Sequence, residues 1–354
     1  MENLVTPAFW SGKRVLLTGH TGFKGSWLTL WLHTLEAEVT GFSLPPATTP
    51  NLYTASTANR GIRSVYGDLR DQSAVTEIVR RTQPEIILHL AAQALVREGY
   101  HDPVATYAIN VMGTVHLLEA AKAIDTLKSI IVVTSDKCYE NREWLWPYRE
   151  DEALGGYDPY SSSKACTELV AAAYRRSFLQ ARGIGLATAR AGNVFGGGDW
   201  SPNRLIPDLL AAFASGQPAL LRNPAAIRPW QFVLEPLAGY LRLAERLYAD
   251  QATFAQAWNF GPGEHDCQPV SAIAAHLASA WGESATFESE AQDFPHEAGQ
   301  LRVDSAKARH MLGWQPRLGL LPGLKATVDW HKAWQNGTDM HAFSLQQIRN
   351  HMTP

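Results

Sequence analysis

Residues 132–141, VVTSDKCYEN, set a hydroxyl, an acid and a base side by side: Ser135, Asp136 and Lys137. Charged neighbours at a strand's end usually sit in solvent, so this stretch alone would read as surface. A second pair changes the balance. DPYSSSKA places Tyr160 and Lys164 four residues apart, behind Asp158 as a candidate N-cap and Pro159 at the first helical position. On a helix that spacing stacks both side chains on one face. A phenol loses its proton near pH ~10, and a neighbouring ammonium stabilises the phenolate. Tyr160 would then serve as a base toward a hydroxyl at neutral pH.

A third cluster could hold a cofactor. TGHTGFKG spaces Gly19, Gly22 and Gly25 between a first strand and its helix. Such a turn is tight, lets backbone approach a pyrophosphate, and aims helix N–H groups at the anion. Lys24 would add charge nearby. The spacing is G-x-x-G-x-x-G, which points to one branch of the dinucleotide binders. An acid at the end of the second strand normally accepts the ribose hydroxyls of NAD, but here the strand ends GFSLPP and offers only Ser43. That position leaves NAD against NADP open. Asp68, in GDLRD at the end of the third strand, is a candidate contact to an adenine ring.

These residues need a frame. RVLLTG (14–19), EVTGFS (38–43), IRSVYGD (62–68), EIILHLA (85–91), SIIVVTS (129–135) and GLATARAG (185–192) read as strands. GSWLTLWLHTLEA (25–37), SAVTEIVRRT, ATYAINVMGTVHLLEAAKAI and the segment 160–182 carry apolar residues at helical spacing. Strands without alternation imply a parallel sheet buried on both faces, and the strand–helix repetition implies an α/β fold, a doubly wound parallel Rossmann-type sheet. After residue 193 the chain turns rich in Gly, Pro, Arg and Trp, which suits a substrate-covering region. QAWNFGPGE (256–264) reads as a late strand returning to the main sheet. The expected division is a Rossmann domain over 1–192 with a return segment at about 232–262. A smaller α/β substrate domain would be formed by 193–231 and 263–354.

The chain has 354 residues, 45% hydrophobic and 18% charged, with a formal net charge of -3. That length suits one large domain with an appendage, or two domains. The charge gives no footprint for nucleic acid or a membrane surface. Three cysteines, Cys138, Cys166 and Cys267, are too few and scattered for a disulfide framework or zinc site, which suggests a reducing compartment and no metal. The N-terminal stretch lacks the pattern of a signal peptide, and EIILHLAAQALV falls far short of the roughly 20 residues of a membrane span. A soluble, cytoplasmic protein is expected.

Together, TGHTGFKG, GDLRD, HLAAQ, VTSDKCYEN, YSSSK, RAGNVFGGGDW, NRLIP and IRPWQF resemble the extended short-chain dehydrogenase/reductase family over nearly the whole chain. Within it, the TSDKCYEN and GGGDW stretches resemble the CDP-glucose 4,6-dehydratases. The resemblance implies tightly held NAD, used and regenerated within each cycle, and a nucleotide-sugar substrate, CDP-glucose. C4 is oxidised, water is eliminated across C5 and C6, and C6 is reduced, giving CDP-4-keto-6-deoxyglucose for deoxysugar biosynthesis of the O-antigen, lipopolysaccharide type. It also implies a homodimer through helices 105–123 and 160–182, with Val111, Leu117, Leu169, Val170 and Tyr174 as apolar surplus.

The implied roles follow. Tyr160 takes the O4 proton, Lys164 lowers its pKa and binds the nicotinamide ribose, Ser135 (with Thr134) bonds O4, and Asp136 protonates the departing C6 hydroxyl. Lys137 stands where better-known sugar-nucleotide dehydratases carry a glutamate base. It either removes the C5 proton when neutral or stabilises the enolate oxygen. Asp136 and Lys137 would titrate as a coupled pair. NAD would touch Gly19, Thr21, Gly22, Phe23, Lys24, Gly25, Ser43, Asp68, Leu69, Leu90, Ala91, Ala92, Gln93, Asn110 and Thr134, besides Tyr160 and Lys164. The substrate would be gripped by Arg190, Asn193, Asp199, Trp200, Arg204 and Arg228, guanidinium forks suiting a pyrophosphate.

Adjacent strand residues point to opposite faces, so Ser135, Asp136 and Lys137 can share one substrate only if the strand ends near Ser135 and the chain turns. A 4-epimerase on the same scaffold would need Tyr160 and the serine but no acid–base pair after it. A dehydratase for another nucleotide sugar is a second rival, weakened by lysine at the glutamate position. A non-catalytic NAD-binding regulator is a third, at odds with the intact Ser135, Tyr160 and Lys164 set.

Overall fold

The computed structural model describes residues 5–282, 285–289 and 299–353. Its centre is a seven-stranded sheet: β1 (Arg14–Thr18), β2 (Glu38–Ser43), β3 (Arg63–Tyr66), β4 (Ile86–His89), β5 (Ser129–Val133), β6 (Gly185–Ala191) and β7 (Ala257–Phe260). The spatial order is β7-β6-β5-β4-β1-β2-β3, and every pairing is parallel. Every residue of β4, β5 and β6 is buried, which is why these runs show no polar alternation. Strand order reverses between β1 and β4, and ligands of such sheets bind at the carboxyl ends beside that switch.

Helices cover both faces. α1 (Phe23–Thr34) follows β1, and α2 (Gln72–Thr82) is capped by Asp71. α3 runs through Pro103–Tyr107, a π-turn at Ala108–Met112 and Gly113–Ala121. α4 (Pro159–Tyr174) starts at Asp158, whose side chain accepts from the Ser161 N–H as the expected N-cap. Its continuation as a π-turn and a 3₁₀ turn to Arg182 accounts for the longer helical pattern in the sequence.

Beyond β6, where the sequence reads as a substrate-covering region, the chain folds into short regular elements. NRLIP opens α5 (Leu205–Ala214), an amphipathic helix that buries Ile206, Leu209, Leu210 and Phe213. Three two-stranded ladders follow, pairing Val194–Phe195 with Gln231–Phe232, Ile227–Pro229 with Cys267–Pro269, and Ala219–Leu221 with Phe287–Ser289. α6 (Leu234–Ala249) packs back on β5 and β6 and leads into β7. One hydrophobic core runs from Trp27 and Trp31 of α1 through Leu237 and Leu241 to Trp330 and Ile348 in the C-terminal helices. Among the described residues, no helix is long and apolar enough to cross a membrane.

Candidate active site

The glycine turn is built from backbone against backbone. Gly19 has φ +77, and a Cβ there would lie 2.7 Å from the Ala91 nitrogen. A Cβ on Gly25 would lie 1.9 Å from the Gly19 carbonyl oxygen. Both glycines are therefore demanded by the close approach of turn, helix and the β4 end. Gly22 differs: it is exposed, and a Cβ on it would meet only the Gly19 oxygen, at 3.4 Å. It is the N-cap of α1 and no side chain caps that helix, so the N–H groups of its first turn face an open cradle. A dinucleotide's pyrophosphate fits there. Thr21 and Ser43 share a hydroxyl–hydroxyl bond of 2.9 Å at the end of β2, where no acid stands. Asp68 is held by Arg70 in a bidentate pair closing to 2.6 Å, with Leu69 packed under Gly113. Asn110, inside the π-turn, accepts from the Gln93 N–H at 2.9 Å and donates to the Gln93 carbonyl and the Ser163 hydroxyl. It thereby ties the strand end at Leu90–Gln93 to α4.

At the end of β5 the chain does what the chemistry requires. The strand stops at Val133, and Ser135 caps a 3₁₀ turn, Asp136–Cys138, accepting the Lys137 N–H at 3.2 Å. The turn brings Ser135, Asp136 and Lys137 to one cavity, which Tyr160 and Lys164 also line. Ser135 Oγ donates to Asp136 Oδ1 at 3.1 Å. Asp136 is 2% exposed and lies under Gly192, where a Cβ would come within 2.4 Å of its Oδ2.

Electrostatics here departs from expectation in one respect. Tyr160 is not lowered overall: burial pushes it up to about 12. The same burial pulls Lys164 down to about 8, and its Nζ donates to the Val133 carbonyl at 3.2 Å. Lys24 also turns into the cavity, 5.9 Å from the Tyr240 ring centroid. Desolvation, then Lys164 and Arg204, bring it to about 7 against the pull of Asp136.

Two expected substrate contacts lie elsewhere. Arg190 is 3% exposed and absent from the cavity lining. Its guanidinium forks onto Glu168 at 2.9 Å and donates to the Tyr139 hydroxyl at 2.7 Å, forming a buried support behind β5 and β6. Thr134 donates to that same Glu168 at 2.6 Å, which spends its hydroxyl proton away from the cavity. Trp200 is half-buried and packs edge-on against Trp330 and Trp334, with ring centroids 5.6 and 4.9 Å away, at the border of the apolar core.

The remaining expected substrate contacts do face the cavity, of about 970 Å³. Asn193, Asp199, Arg204 and Arg228 line it, with Arg204 paired to the buried Asp199 at 3.2 Å. Arg97, Asn203 and Arg222 line it too, and sequence reasoning missed them. Arg97 and Arg222 both reach Asn203, so only the folding of α5 against distant segments brings them together. Among the described residues no cluster of metal-binding side chains occurs.

The family model described as GDP-mannose 4,6 dehydratase matches residues 16–327. The chain is 49% identical to the CDP-glucose 4,6-dehydratase of Salmonella typhimurium, over 99% of either chain. Among solved structures, the dTDP-glucose 4,6-dehydratase of Streptomyces venezuelae with NAD and TYD bound superposes with a TM-score of 0.78 at 23% identity, covering 92% of this chain and 98% of that one. The UDP-glucose 4-epimerase of Thermotoga maritima with UDP-glucose gives 0.77 at 21%, covering 90% and 98%. These two share the fold. A family match over most of the length, joined to an end-to-end relative at nearly half identity, means that the chain belongs to the GDP-mannose 4,6 dehydratase family of extended short-chain dehydrogenases/reductases.

Proposed function

We propose that the chain is an NAD-dependent CDP-glucose 4,6-dehydratase, a hydro-lyase producing CDP-4-keto-6-deoxyglucose. The carrying observation is the turn after β5, which delivers an acid and a lysine, Asp136 and Lys137, to the cavity that Tyr160 and Lys164 line. A 4-epimerase has no use for that second pair. The cytidine base of the substrate rests on the end-to-end relative.

NAD, held at the glycine turn, would supply the hydride chemistry between C4 and C6. Tyr160 accepts the O4 proton while Ser135 holds O4. Thr134 serves Glu168 instead. Lys164, anchored on the Val133 carbonyl, orients the nicotinamide ribose. Asp136 donates the proton that lets the C6 hydroxyl leave as water. Lys137 removes the C5 proton or stabilises the enolate that its removal creates. Arg204, Arg222 and Arg228 grip the diphosphate. The part through 192 and the return segment 232–262 hold the cofactor, and 193–231 with 263–354 hold the sugar nucleotide. The enzyme works as a cytoplasmic homodimer, feeding deoxysugar synthesis of the lipopolysaccharide type, without nucleic-acid or membrane partners. Incubation with CDP-, dTDP-, GDP- and UDP-glucose, followed by assay for a 4-keto-6-deoxy product, tests this; product from another nucleotide in preference to CDP overturns the substrate assignment.

A further inference from the structure

Resting on that reading, the substrate must lie in the cavity in one direction. Its sugar meets Ser135, Asp136 and Tyr160, its diphosphate meets Arg204, Arg222 and Arg228, and its base therefore falls beyond those arginines. Most carboxylates that line the cavity among the described residues are already committed. Asp136 stands at the sugar. Asp158 caps α4 and accepts the Ser161 hydroxyl, and Asp199 is buried against Arg204 and the Ser201 N–H. Glu140 and Glu143 belong to the segment just after the catalytic turn, where Glu143 accepts the Gly299 N–H. Asp208 remains. It is half-buried and stands four residues after Arg204 on α5, on the same side and about 6 Å further along the helix.

The surroundings of Asp208 suit the edge of a base. Arg222 Nη2 donates to Asp208 Oδ2 at 3.0 Å, which holds the carboxylate in place at the cavity wall. Burial raises the Asp208 pKa, and the Arg222 guanidinium opposes that rise. Leu220 stands two residues before Arg222, where the chain runs as the strand Ala219–Leu221, so both side chains leave by one face. Ala219 and Leu221 are buried on the other face, while Leu220 is 56% exposed and lines the cavity. An exposed leucine beside an ion pair offers a flat base an apolar seat and a polar edge. Asn203 extends that edge, its Oδ1 accepting from Arg97 Nη1 at 3.2 Å and from Arg222 Nη2 at 3.4 Å. Guanidinium groups only donate, so the amide oxygen is turned toward them and the amide NH2 is left as a donor. Asp208 and Asn203 meet the same Arg222 nitrogen, so an acceptor and a donor lie side by side.

We propose that Asp208 reads the cytosine base, its carboxylate accepting from the N4 amino group while the Asn203 amide donates to the adjacent N3. Cytosine offers a donor at position 4 beside an acceptor at N3; uracil and thymine offer the reverse, O4 beside N3–H. An ionised carboxylate has no proton to give, so opposite O4 it sets lone pairs against lone pairs. Acceptance from cytosine N4 by an acidic side chain is also how that base is read in DNA. Arg222 serves both ends: it grips the diphosphate and fixes Asp208, so the base edge is measured from the phosphates.

The test is steady-state dehydration of CDP-, UDP-, dTDP- and GDP-glucose by the NAD-loaded enzyme and by its Asp208→Asn and Asp208→Ala variants. Asp208→Asn should lower kcat/KM for CDP-glucose by about 10–100-fold, chiefly through KM, because the lost contact is to the base and not to the reacting atoms. Its amide can donate toward O4, so the CDP/UDP ratio of kcat/KM should fall by at least about tenfold. Asp208→Ala should lose CDP-glucose to a similar extent without gaining UDP- or dTDP-glucose. A carboxylate that only steadied Arg222 would weaken every nucleotide sugar alike. An unchanged CDP/UDP ratio in both variants therefore overturns the proposal, as does a loss confined to kcat. Calorimetric binding of CDP and UDP to the same variants reads that ratio without catalysis and decides the matter where turnover is too slow to follow. Wild type that prefers another nucleotide overturns the substrate assignment and this proposal with it. Wild type that prefers CDP, with variants that keep the preference, overturns the role of Asp208 alone.

Discussion

Asp136 and Tyr160 divide the reaction between them, so their variants should fail differently. Asp136→Asn should stop at the 4-keto-glucose stage, with reduced nicotinamide persisting and product turnover down by about 10²–10⁴, the usual worth of a general acid. Tyr160→Phe should show no such absorbance, because oxidation itself fails. Lys137→Ala decides between its two roles: accumulation like that of Asp136→Asn puts Lys137 in the elimination step. Behind them, the Arg190–Glu168 pair is 3% and 4% exposed, and removing one partner strands the other charge in the core. Glu168→Gln should cost about 3–5 kcal/mol by denaturant unfolding. An unchanged midpoint would sink the claim that this network supports the site. The Tyr160/Lys164 spacing was legible because helix periodicity is local. The burial that raises Tyr160 was not, because it is supplied by segments far away in the chain.

At the scale of elements, the glycine turn makes a sharper statement than its motif. Gly25→Ala would drive a Cβ to 1.9 Å from the Gly19 carbonyl, backbone against backbone. It should destabilise the fold by about 1–3 kcal/mol, read as a lowered unfolding midpoint. Gly22→Ala meets nothing nearer than 3.4 Å and should keep its midpoint while losing cofactor, since its Cβ would occupy the pyrophosphate cradle. Cofactor released from denatured wild type should be NAD by mass; NADP at full occupancy would overturn that assignment. The sequence announces the 3₁₀ turn at Asp136–Cys138 only as a condition, that strand β5 end near Ser135. It hides the helix α5, because Pro and Arg neighbours mask a ten-residue amphipathic run.

For the whole molecule, the outer faces of α3 and α4 carry exposed apolar side chains: Val104 at 79%, Met112 at 48% and Leu169 at 59%. Leu117, expected with them, is 1% exposed and belongs to the core beneath the sheet. Light scattering at micromolar concentration should give twice the chain mass, and Leu169→Glu should shift it toward the monomer by placing a charge in the pairing face. A wild-type monomer would refute the pairing.

What the sequence determined by itself is whatever depends on short-range geometry. Helical spacing aligned Tyr160 with Lys164, period-free apolar runs announced a sheet buried on both faces, and Gly19 and Gly25 marked a turn too tight for a Cβ at either position. Asp158 and Pro159 announced the start of α4. Tertiary structure alone decided which polar side chains were free to act. Arg190 is as much an arginine as Arg204 in the sequence. One is neutralised by Glu168 inside the core and the other borders the cavity beside Asp199. Likewise, Lys24 reads as a phosphate contact, yet the packing of α1 carries its ammonium to the catalytic cavity. The physical reason is that burial and partnership are properties of pairs of distant segments, and these set the charge and reach of a side chain.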